Sequence, residues 1–433
     1  MRGIKSFNLS FSVYPIAIFF LFMLVAPTTL QAERGFGLAL LFLLSFFNIK
    51  SWRLSGQIIR WLLVICCTSL FAMLNGAIGQ APGVLAVAGV YVAWPIIFTW
   101  FIGLSSKIET YTTLVNTLFI GIFLASLLGF IVLISGIAGS LDFFTPFIEL
   151  LGARAGISDE GIELTIPSMA CVIYGFCFLI AYFYAFPNSA VDSRKKQHAL
   201  LFLLILSLVT LLISGKRGFW FSAILAFPYT FLVCHIASIR YFSLKSTLRI
   251  VSIMCVVIIA GFALIAFLLE INLQDIFDNL MAGFNFTDQS NSSAFRRYTQ
   301  FNALLDGWMQ SPLIGAGHGS MAADKQGNEL QPWAYELQYL ALLFQMGVVG
   351  FFVYLSSVMW LIYHMIRLSK RYSDLAQLLI PMAVGLLSFL TMNATNPYLG
   401  KFDYLWVIFL PLGLVNVGLL REQFEKVSAK EQL

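Results

Sequence analysis

The sequence predicts an all-α polytopic membrane protein with about twelve transmembrane helices. Of its 433 residues, 59% are hydrophobic and 11% are charged, whereas an ordinary soluble domain carries about one quarter charged residues. Apolar runs of about 20 residues, the length that crosses the hydrocarbon core as a helix, recur along the chain. The composition therefore excludes an ordinary soluble domain and favours helices over barrel strands.

Twelve apolar segments account for the predicted helices. The first follows Arg2 and Lys5 and partly resembles a signal peptide, but its length and the apolar run that follows it favour a retained signal anchor. We expect one integral membrane domain over residues 1–433. The segments centre near Phe20, Phe42, Ile65, Ala93, Phe123, Gly175, Ile205, Ala226, Val257, Tyr354, Leu386 and Phe409.

The distribution of Lys and Arg predicts that both termini are cytoplasmic, because cations concentrate in inner loops. With that orientation, 18 of the 26 cations fall in inner loops. The net charge of +5 is thus explained by membrane insertion and does not indicate nucleic-acid binding. Insertion leaves unexplained the eight outer cations, which are Arg34, Arg154, Lys216, Arg217, Arg296, Arg297, Lys325 and Lys401.

Two predicted outer segments are longer than simple turns. The smaller covers residues 138–165, and the larger covers residues 270–333, between predicted helices 9 and 10. In the larger segment, FRRYTQFNALLDGWM has helical periodicity and predicts an amphipathic helix lying against the membrane or over a cavity. SPLIGAGHGS follows, and its proline and glycines are typical of a tight turn.

Lys216 and Arg217 form the first candidate anion site. Gly215 and Gly218 flank them, so that backbone can approach a ligand, and the fixed donors of a guanidinium fit diphosphate oxygens. The alternative is that Arg217 snorkels to the membrane interface.

Three further arginines lie on other outer stretches. Arg296 and Arg297 open the amphipathic stripe, where they either face solvent or turn inward. Arg154 either pairs with Asp159 or Glu160 or binds substrate. If these arginines converge with the first candidate, they form one anion site at the outer membrane boundary.

Glu336 stands where a long apolar helix begins. It either favours the helix amino terminus or acts as a general base, since partial burial can raise the pKa of a glutamate and let it accept a proton from a sugar hydroxyl. Tyr335 and Gln338 flank it and are candidate glycan contacts. His318, the only histidine in a predicted outer loop, is a candidate for acceptor binding or proton transfer.

No cofactor is predicted. No cluster of histidines and carboxylates has metal-ligand spacing, and the chain has neither a phosphate loop nor a nucleophile elbow. The six cysteines fall in apolar runs without a CxxC pair, which indicates small core residues rather than a metal site or a disulfide framework.

Four stretches resemble motifs of the O-antigen ligase and Wzy-type O-antigen polymerase superfamily. The SGKRG turn resembles its Arg-Gly element, and RAGISDEGIELTIPSMA resembles an element in which Arg154 fits but Ser168 replaces the usual Asn. RYTQFNALLDGWMQSPLIGAGHG resembles the loop signature of the superfamily, which it matches at Arg297, Phe301, Pro312, Gly315 and Gly317. ELQYLALLFQMGVVG resembles the helix that follows this signature, which it matches at Tyr339, Leu340, Gly347 and Gly350.

The resemblance implies a GT-C-like, metal-independent, inverting glycosyltransferase of the bacterial inner membrane, with its active site facing the periplasm. Its substrates would be undecaprenyl-diphosphate-linked glycans, and a chain-length regulator is a possible partner. Glu336 stands where the family usually has His and Leu337 where it has Asn. Because that His is typical of ligases, we expect a polymerase, with ligation to lipid A-core as the alternative.

A rival prediction from another class is a flippase for lipid-linked oligosaccharide. Transporters tend to have related halves and ionisable groups near the bilayer midplane. Here the predicted midplane segments carry almost no charge and the unexplained cations gather at one boundary, which favours the enzyme.

Overall fold

The structure is a computed structural model that describes residues 13–138, 151–158, 161–186, 194–239, 292–322 and 331–431, together with Ser252 and Val256. Its helices are α1 (Val13–Val25), α2 (Gln31–Phe46), α3 (Gly56–Ile78), α4 (Val84–Leu104), α5 (Ile108–Ala138), α6 (Met169–Ala185), α7 (Arg194–Ile213), α8 (Arg217–Ile236), α9 (Ser292–Gln310), α10 (Gln338–Arg371), α11 (Ser373–Asn393) and α12 (Trp406–Glu431).

The protein is an all-α polytopic membrane protein. Within the described residues, eight helices are long and apolar enough to cross a membrane: α3, α4, α5, α7, α8, α10, α11 and α12. Helices α1 and α6 are apolar but shorter. Eleven of the twelve predicted segment centres lie in described helices, and the twelfth, Val257, lies outside the described residues.

Helix α6 forms the centre of the bundle. Every residue from Met169 to Ala181 is buried, as expected for a helix that is apolar all round. It packs most extensively against α11 and also contacts α5, α7 and α8. Close approach is possible because Gly385 of α11 faces the ring of Tyr174, while Gly175 of α6 faces Ile122 of α5.

A two-stranded antiparallel hairpin departs from the all-helical prediction. Strand β1 (Arg154–Ser158) pairs with β2 (Gly161–Thr165), and Ile157 stands opposite Ile162. The hairpin belongs to the predicted smaller outer segment. Arg154 is its first residue; the side chain of Arg154 and its two predicted partners, Asp159 and Glu160, lie outside the described part of the chain.

The loops that were predicted to be outer meet at one end of the bundle, which we call the site end. The Tyr404 hydroxyl donates to the Pro167 carbonyl at 3.1 Å, which joins the loop before α12 to the start of α6. A Cβ on Gly152 would lie 3.4 Å from Thr29, which joins the start of the hairpin to the α1–α2 loop.

The loops that were predicted to be inner meet at the opposite end. The Arg53 backbone N–H donates to the Gly103 carbonyl at 2.8 Å, and Asn416 accepts from the Ser55 backbone N–H at 2.9 Å. Arg421 pairs with Asp374 at 3.0 Å. This grouping agrees with a chain that crosses the bilayer in alternating directions, and the positive-inside bias predicts that this end is cytoplasmic.

Candidate active site

Helix α9 lies at the site end and packs on the first turns of α10. Its apolar stripe places Ala303 and Leu304 in a small buried cluster with Ala341 and Phe344 of α10. Gly307 permits this contact, because a Cβ there would lie 2.6 Å from the Phe344 ring. The stretch predicted to be an amphipathic helix is therefore fixed to α10 and holds its arginines in place.

Arg297 and Glu336 form an ion pair across the two elements. The Nε of Arg297 lies 2.9 Å from Oε2 of Glu336, while Nη1 of Arg296 lies 3.8 Å from Oε1. One turn further along α9, the Oε1 of Gln300 accepts from the Glu336 backbone N–H at 3.0 Å. Helix α9 thus holds Glu336 through both its carboxylate and its backbone.

The exposure of these side chains suits a ligand site. Glu336 and Arg297 are 29% and 33% exposed, and Arg296 is 57% exposed. Arg297 pairs with Glu336 through Nε, which leaves its two terminal nitrogens outside this ion pair. Two guanidinium groups around one carboxylate leave a net positive charge, which favours an anionic ligand.

The loop after α9 contains Gly315, Gly317 and Gly319, and it packs between α3, the start of α4 and a break in α10. At Gly347, φ is +64° and ψ is −175°, so the helix is interrupted there. The carbonyls of Phe344 and Gln345 accept from the backbone N–H groups of Ala316 and Gly317 at 2.9 Å each. The loop thereby satisfies backbone groups that the break would otherwise leave unpaired inside a membrane helix.

This packing depends on glycine at Gly317. A Cβ at Gly317 would lie 2.1 Å from the Gly76 backbone nitrogen of α3, and its φ of +96° is a conformation that only glycine adopts readily. The sequence predicted a tight turn with exposed backbone here, and the structure shows that this backbone contacts α3 and α10. The two glycine motifs, around Gly317 and Gly347, form a single unit.

His318 is buried inside this unit. Its backbone N–H donates to the Ala72 carbonyl at 2.8 Å, and its Nδ1 lies 3.2 Å from Oε1 of Gln345. The ring stacks on Tyr91 of α4 with centroids 4.7 Å apart. Burial lowers the pKa of His318 to about 4, so the imidazole is neutral near pH 7.

Gln338, the first residue of α10, connects Glu336 to α4. Its backbone N–H donates to the Glu336 carbonyl at 3.0 Å. Its side-chain nitrogen donates to the Tyr91 hydroxyl at 3.1 Å. A Cβ on Gly400 would lie 3.2 Å from the Gln338 oxygen, so the loop before α12 also closes on this residue.

Lys216 and Arg217 lie at the start of α8, with Lys216 as the residue before the helix and Arg217 as its first residue. Gly218 packs against the loop that follows α11: a Cβ there would lie 3.2 Å from Asn396. Because the same loop reaches Gln338 through Gly400, the Lys216–Arg217 turn and the Glu336 segment are joined by one connecting loop. Both arginine regions therefore belong to the site end.

The Tyr335 side chain belongs to the small buried cluster that contains Leu304 and Phe344. It is buried, and its hydroxyl accepts from the Ala322 backbone N–H at 2.6 Å. Burial raises the pKa of this hydroxyl above its usual value. The side chain supports the loop from inside rather than presenting its hydroxyl to a ligand. Lys325, another predicted outer cation, lies outside the described residues.

Arg34 is accounted for by a different contact. It forms a buried ion pair with Asp403, and its guanidinium lies over the Phe402 ring, 5.5 Å from the centroid. This ion pair explains why a cation is present at position 34, although the position was predicted to lie in an outer loop.

Several residues of the site were not predicted. Tyr91 lies on a π-helical turn, Gly89–Ala93, which divides α4. No local sequence pattern predicts this turn. Gln300 and Gln345 could have been identified from the sequence. Gln300 stands one helical turn after Arg297, and Gln345 is a polar residue inside an apolar run.

The comparison with known families agrees with the predicted resemblance. Residues 202–355 match the model of a family described as O-Antigen ligase, which supports the predicted resemblance to the O-antigen ligase and polymerase superfamily. The matched range includes Arg217, Arg297, Glu336 and both glycine motifs. No curated protein matches the chain.

Proposed function

We propose that this protein is an O-antigen polymerase of the bacterial inner membrane. It transfers an undecaprenyl-diphosphate-linked glycan to the non-reducing end of another lipid-linked repeat unit at the periplasmic face. The observation that carries this proposal is the Arg297–Glu336 pair, held at the same end of the bundle as the Lys216–Arg217 turn. The pair combines a proton acceptor with a group that binds anions.

Glu336 acts as the general base. Its carboxylate removes the proton from a sugar hydroxyl of the acceptor, and the hydroxyl oxygen then forms a bond to the anomeric carbon of the donor. The bond between that carbon and the diphosphate oxygen breaks, and its electron pair leaves with the diphosphate. A single displacement of this kind inverts the anomeric configuration.

Arg297 stabilises the leaving group. Its Nε is engaged by Glu336 at 2.9 Å, so its terminal nitrogens can bind diphosphate oxygens as negative charge develops on them. One guanidinium therefore fixes the distance between base and leaving group. Arg217 supplies a second guanidinium, and Lys216, Arg154 and Arg296 add positive charge around the glycan and its diphosphate.

The polymerase is preferred to a ligase because of position 336. The resemblance places histidine there in ligases, and this chain has a glutamate held by Arg297 and Gln300. No nucleotide is required, because the diphosphate of the lipid-linked donor is already a leaving group. We expect transfer to continue after treatment with EDTA, since arginines and a lysine provide the positive charge.

The test uses the purified full chain in liposomes with a lipid-linked repeat unit, with and without lipid A-core. We expect the wild type to form lipid-linked chains of several repeats, and Glu336→Gln, which has a similar shape but no proton acceptor, to form none. Transfer of single units to lipid A-core without chain extension would indicate a ligase. Movement of intact units across the membrane without a new glycosidic bond would indicate a flippase.

A further inference from the structure

Tyr91 connects two parts of the site end that are far apart in sequence. Its hydroxyl accepts from the side-chain nitrogen of Gln338 at 3.1 Å, and its ring stacks on His318 with an interplanar angle of 18°. The ring also forms an edge-type contact with Tyr354, with centroids 6.0 Å apart. Tyr91 is thus held by α10 and by the glycine loop at once.

The backbone around Tyr91 is unusual. It lies within Gly89–Ala93, a π-helical turn inside α4. Such turns are rare, and they occur frequently at functional sites because the extra residue rotates the side chains on either side of it. After this turn, Trp94 stacks on Phe402 of the loop before α12 with centroids 4.3 Å apart. The turn therefore aims Tyr91 at α10 and Trp94 at the connecting loop.

His318 can hold the Tyr91 ring without changing its charge near neutral pH. The Gln345 side chain donates to the Trp333 carbonyl at 3.3 Å, so its oxygen faces His318 and accepts from Nδ1 at 3.2 Å. This assigns the proton to Nδ1. A buried, neutral imidazole with a fixed tautomer is a rigid surface for stacking.

The contact between Tyr91 and Gln338 also restrains the position of Glu336. The Gln338 backbone N–H donates to the Glu336 carbonyl at 3.0 Å, which closes a tight turn between the two residues. Fixing the Gln338 side chain therefore fixes one side of the turn, while Arg297 and Gln300 of α9 fix the other. A general base works only within hydrogen-bond reach of its proton, so this turn controls its efficiency.

We propose that Tyr91 is a positioning residue for the transfer reaction, which fixes Gln338 and thereby the Glu336 carboxylate, with His318 holding the Tyr91 ring. This inference rests on the proposed function. Tyr91 acts through Gln338 and does not bind the donor diphosphate. Loss of its hydroxyl should therefore change the rate of transfer more than the apparent affinity for the donor.

The test compares Tyr91→Phe with Tyr354→Phe in reconstituted full-length protein. Both changes remove one tyrosine hydroxyl in the same region, but the Tyr354 hydroxyl bonds to Ser69 and not to Gln338. We expect Tyr91→Phe to lower kcat about threefold to tenfold, the effect of one lost hydrogen bond. KM for the lipid-linked donor should stay within about twofold, and Tyr354→Phe should leave kcat within about twofold.

A double-mutant cycle with Gln338→Met separates positioning from general destabilisation. If Tyr91 acts through Gln338, Tyr91→Phe should have no further effect on kcat in the Gln338→Met background. Equal effects of Tyr91→Phe in both backgrounds, or wild-type kcat in the single variant, would overturn the inference and leave the proposed function intact. Absence of transfer by the wild type would overturn the proposed function and this inference with it.

Discussion

Arg297 and Glu336 meet through the Nε of the arginine and Oε2 of the glutamate, 2.9 Å apart. This geometry uses the side of the guanidinium nearest the backbone and leaves its outer edge for a second anion. Arg296, its neighbour, approaches the other carboxylate oxygen only to 3.8 Å and is 57% exposed. The two adjacent arginines should therefore contribute very differently to activity.

Arg297→Ala should lower the rate of chain extension by about 10²–10³, the usual cost of removing one charge-stabilising donor from an active site. Arg297→Lys should recover only part of this loss, because an ammonium cannot contact Glu336 and a diphosphate through separate fixed donors. The measurement is polymer formed from lipid-linked repeats in liposomes. Arg296→Ala is the matched control and should lose less than about tenfold. Equal losses in both alanine variants would contradict the role given to Arg297.

Arg217→Ala should abolish chain extension while the protein is produced at its usual level, because the donor diphosphate loses one of its two guanidinium contacts. Lys401→Ala serves as the control, since Lys401 is an exposed cation at the same end of the bundle. The initial rate is measured at several donor concentrations. A similar decrease for both variants would show that general positive charge, rather than Arg217 itself, supports the reaction.

Gly317→Ala should destabilise the protein by at least about 3 kcal/mol, since the new Cβ overlaps backbone and the residue has a positive φ. Gly35→Ala is the matched control, because a Cβ at that position of α2 meets nothing within 4 Å. It should be neutral or slightly stabilising, as alanine favours helix more than glycine by about 1 kcal/mol. Thermal unfolding in detergent, followed by tryptophan fluorescence, measures both. Folded Gly317→Ala protein with an unchanged melting temperature would disprove the close contact with Gly76.

Arg34→Met should destabilise the protein by about 3–5 kcal/mol, because it leaves the Asp403 carboxylate buried without its partner. Both side chains of this pair are under 5% exposed, so water cannot replace the lost contact. The double variant Arg34→Met with Asp403→Leu should recover most of the loss. The same melting experiment applies, and a double variant no more stable than the single one would argue against the pair.

Lowering the pH from 6.5 towards 4 should destabilise the protein through His318. In the unfolded chain this imidazole takes up a proton near its ordinary pKa of 6.5, whereas in the folded protein burial lowers the pKa to about 4. The unfolded state therefore binds more protons in this interval, and stability decreases as the pH decreases, by up to about 3 kcal/mol.

His318→Asn isolates this effect, because its amide can still donate towards Gln345 but does not titrate. We expect the melting temperature of the wild type to fall more steeply than that of the variant between pH 6.5 and pH 4.5. Parallel pH profiles would mean that the folded protein protonates His318 as readily as the unfolded chain.

Hydropathy and charge predicted the helices well, because the thickness of the bilayer demands apolar runs of a set length. The predicted segment centres at Gly175 and Phe409, for example, lie in α6 and α12. The hairpin that begins at Arg154 was not predicted, since it is short and its strands stabilise each other only through pairing.

The candidate site was predicted as residue types but not as contacts. The sequence suggested Arg297 and Glu336 separately, but their pairing depends on how α9 packs on α10, which no local pattern encodes. The role of Tyr91 could not be predicted, because no local pattern marks its π-helical turn and its partners Gln338 and His318 are distant in the sequence.

The break at Gly347 also has a consequence for biosynthesis. The first turns of α10 need backbone partners from Ala316 and Gly317, and these residues are in turn seated against α3. All of these partners precede α10 in the chain, so they are synthesised before it. In the predicted orientation the loop has already been translocated when α10 enters the bilayer, and the interrupted helix can complete its hydrogen bonds on arrival.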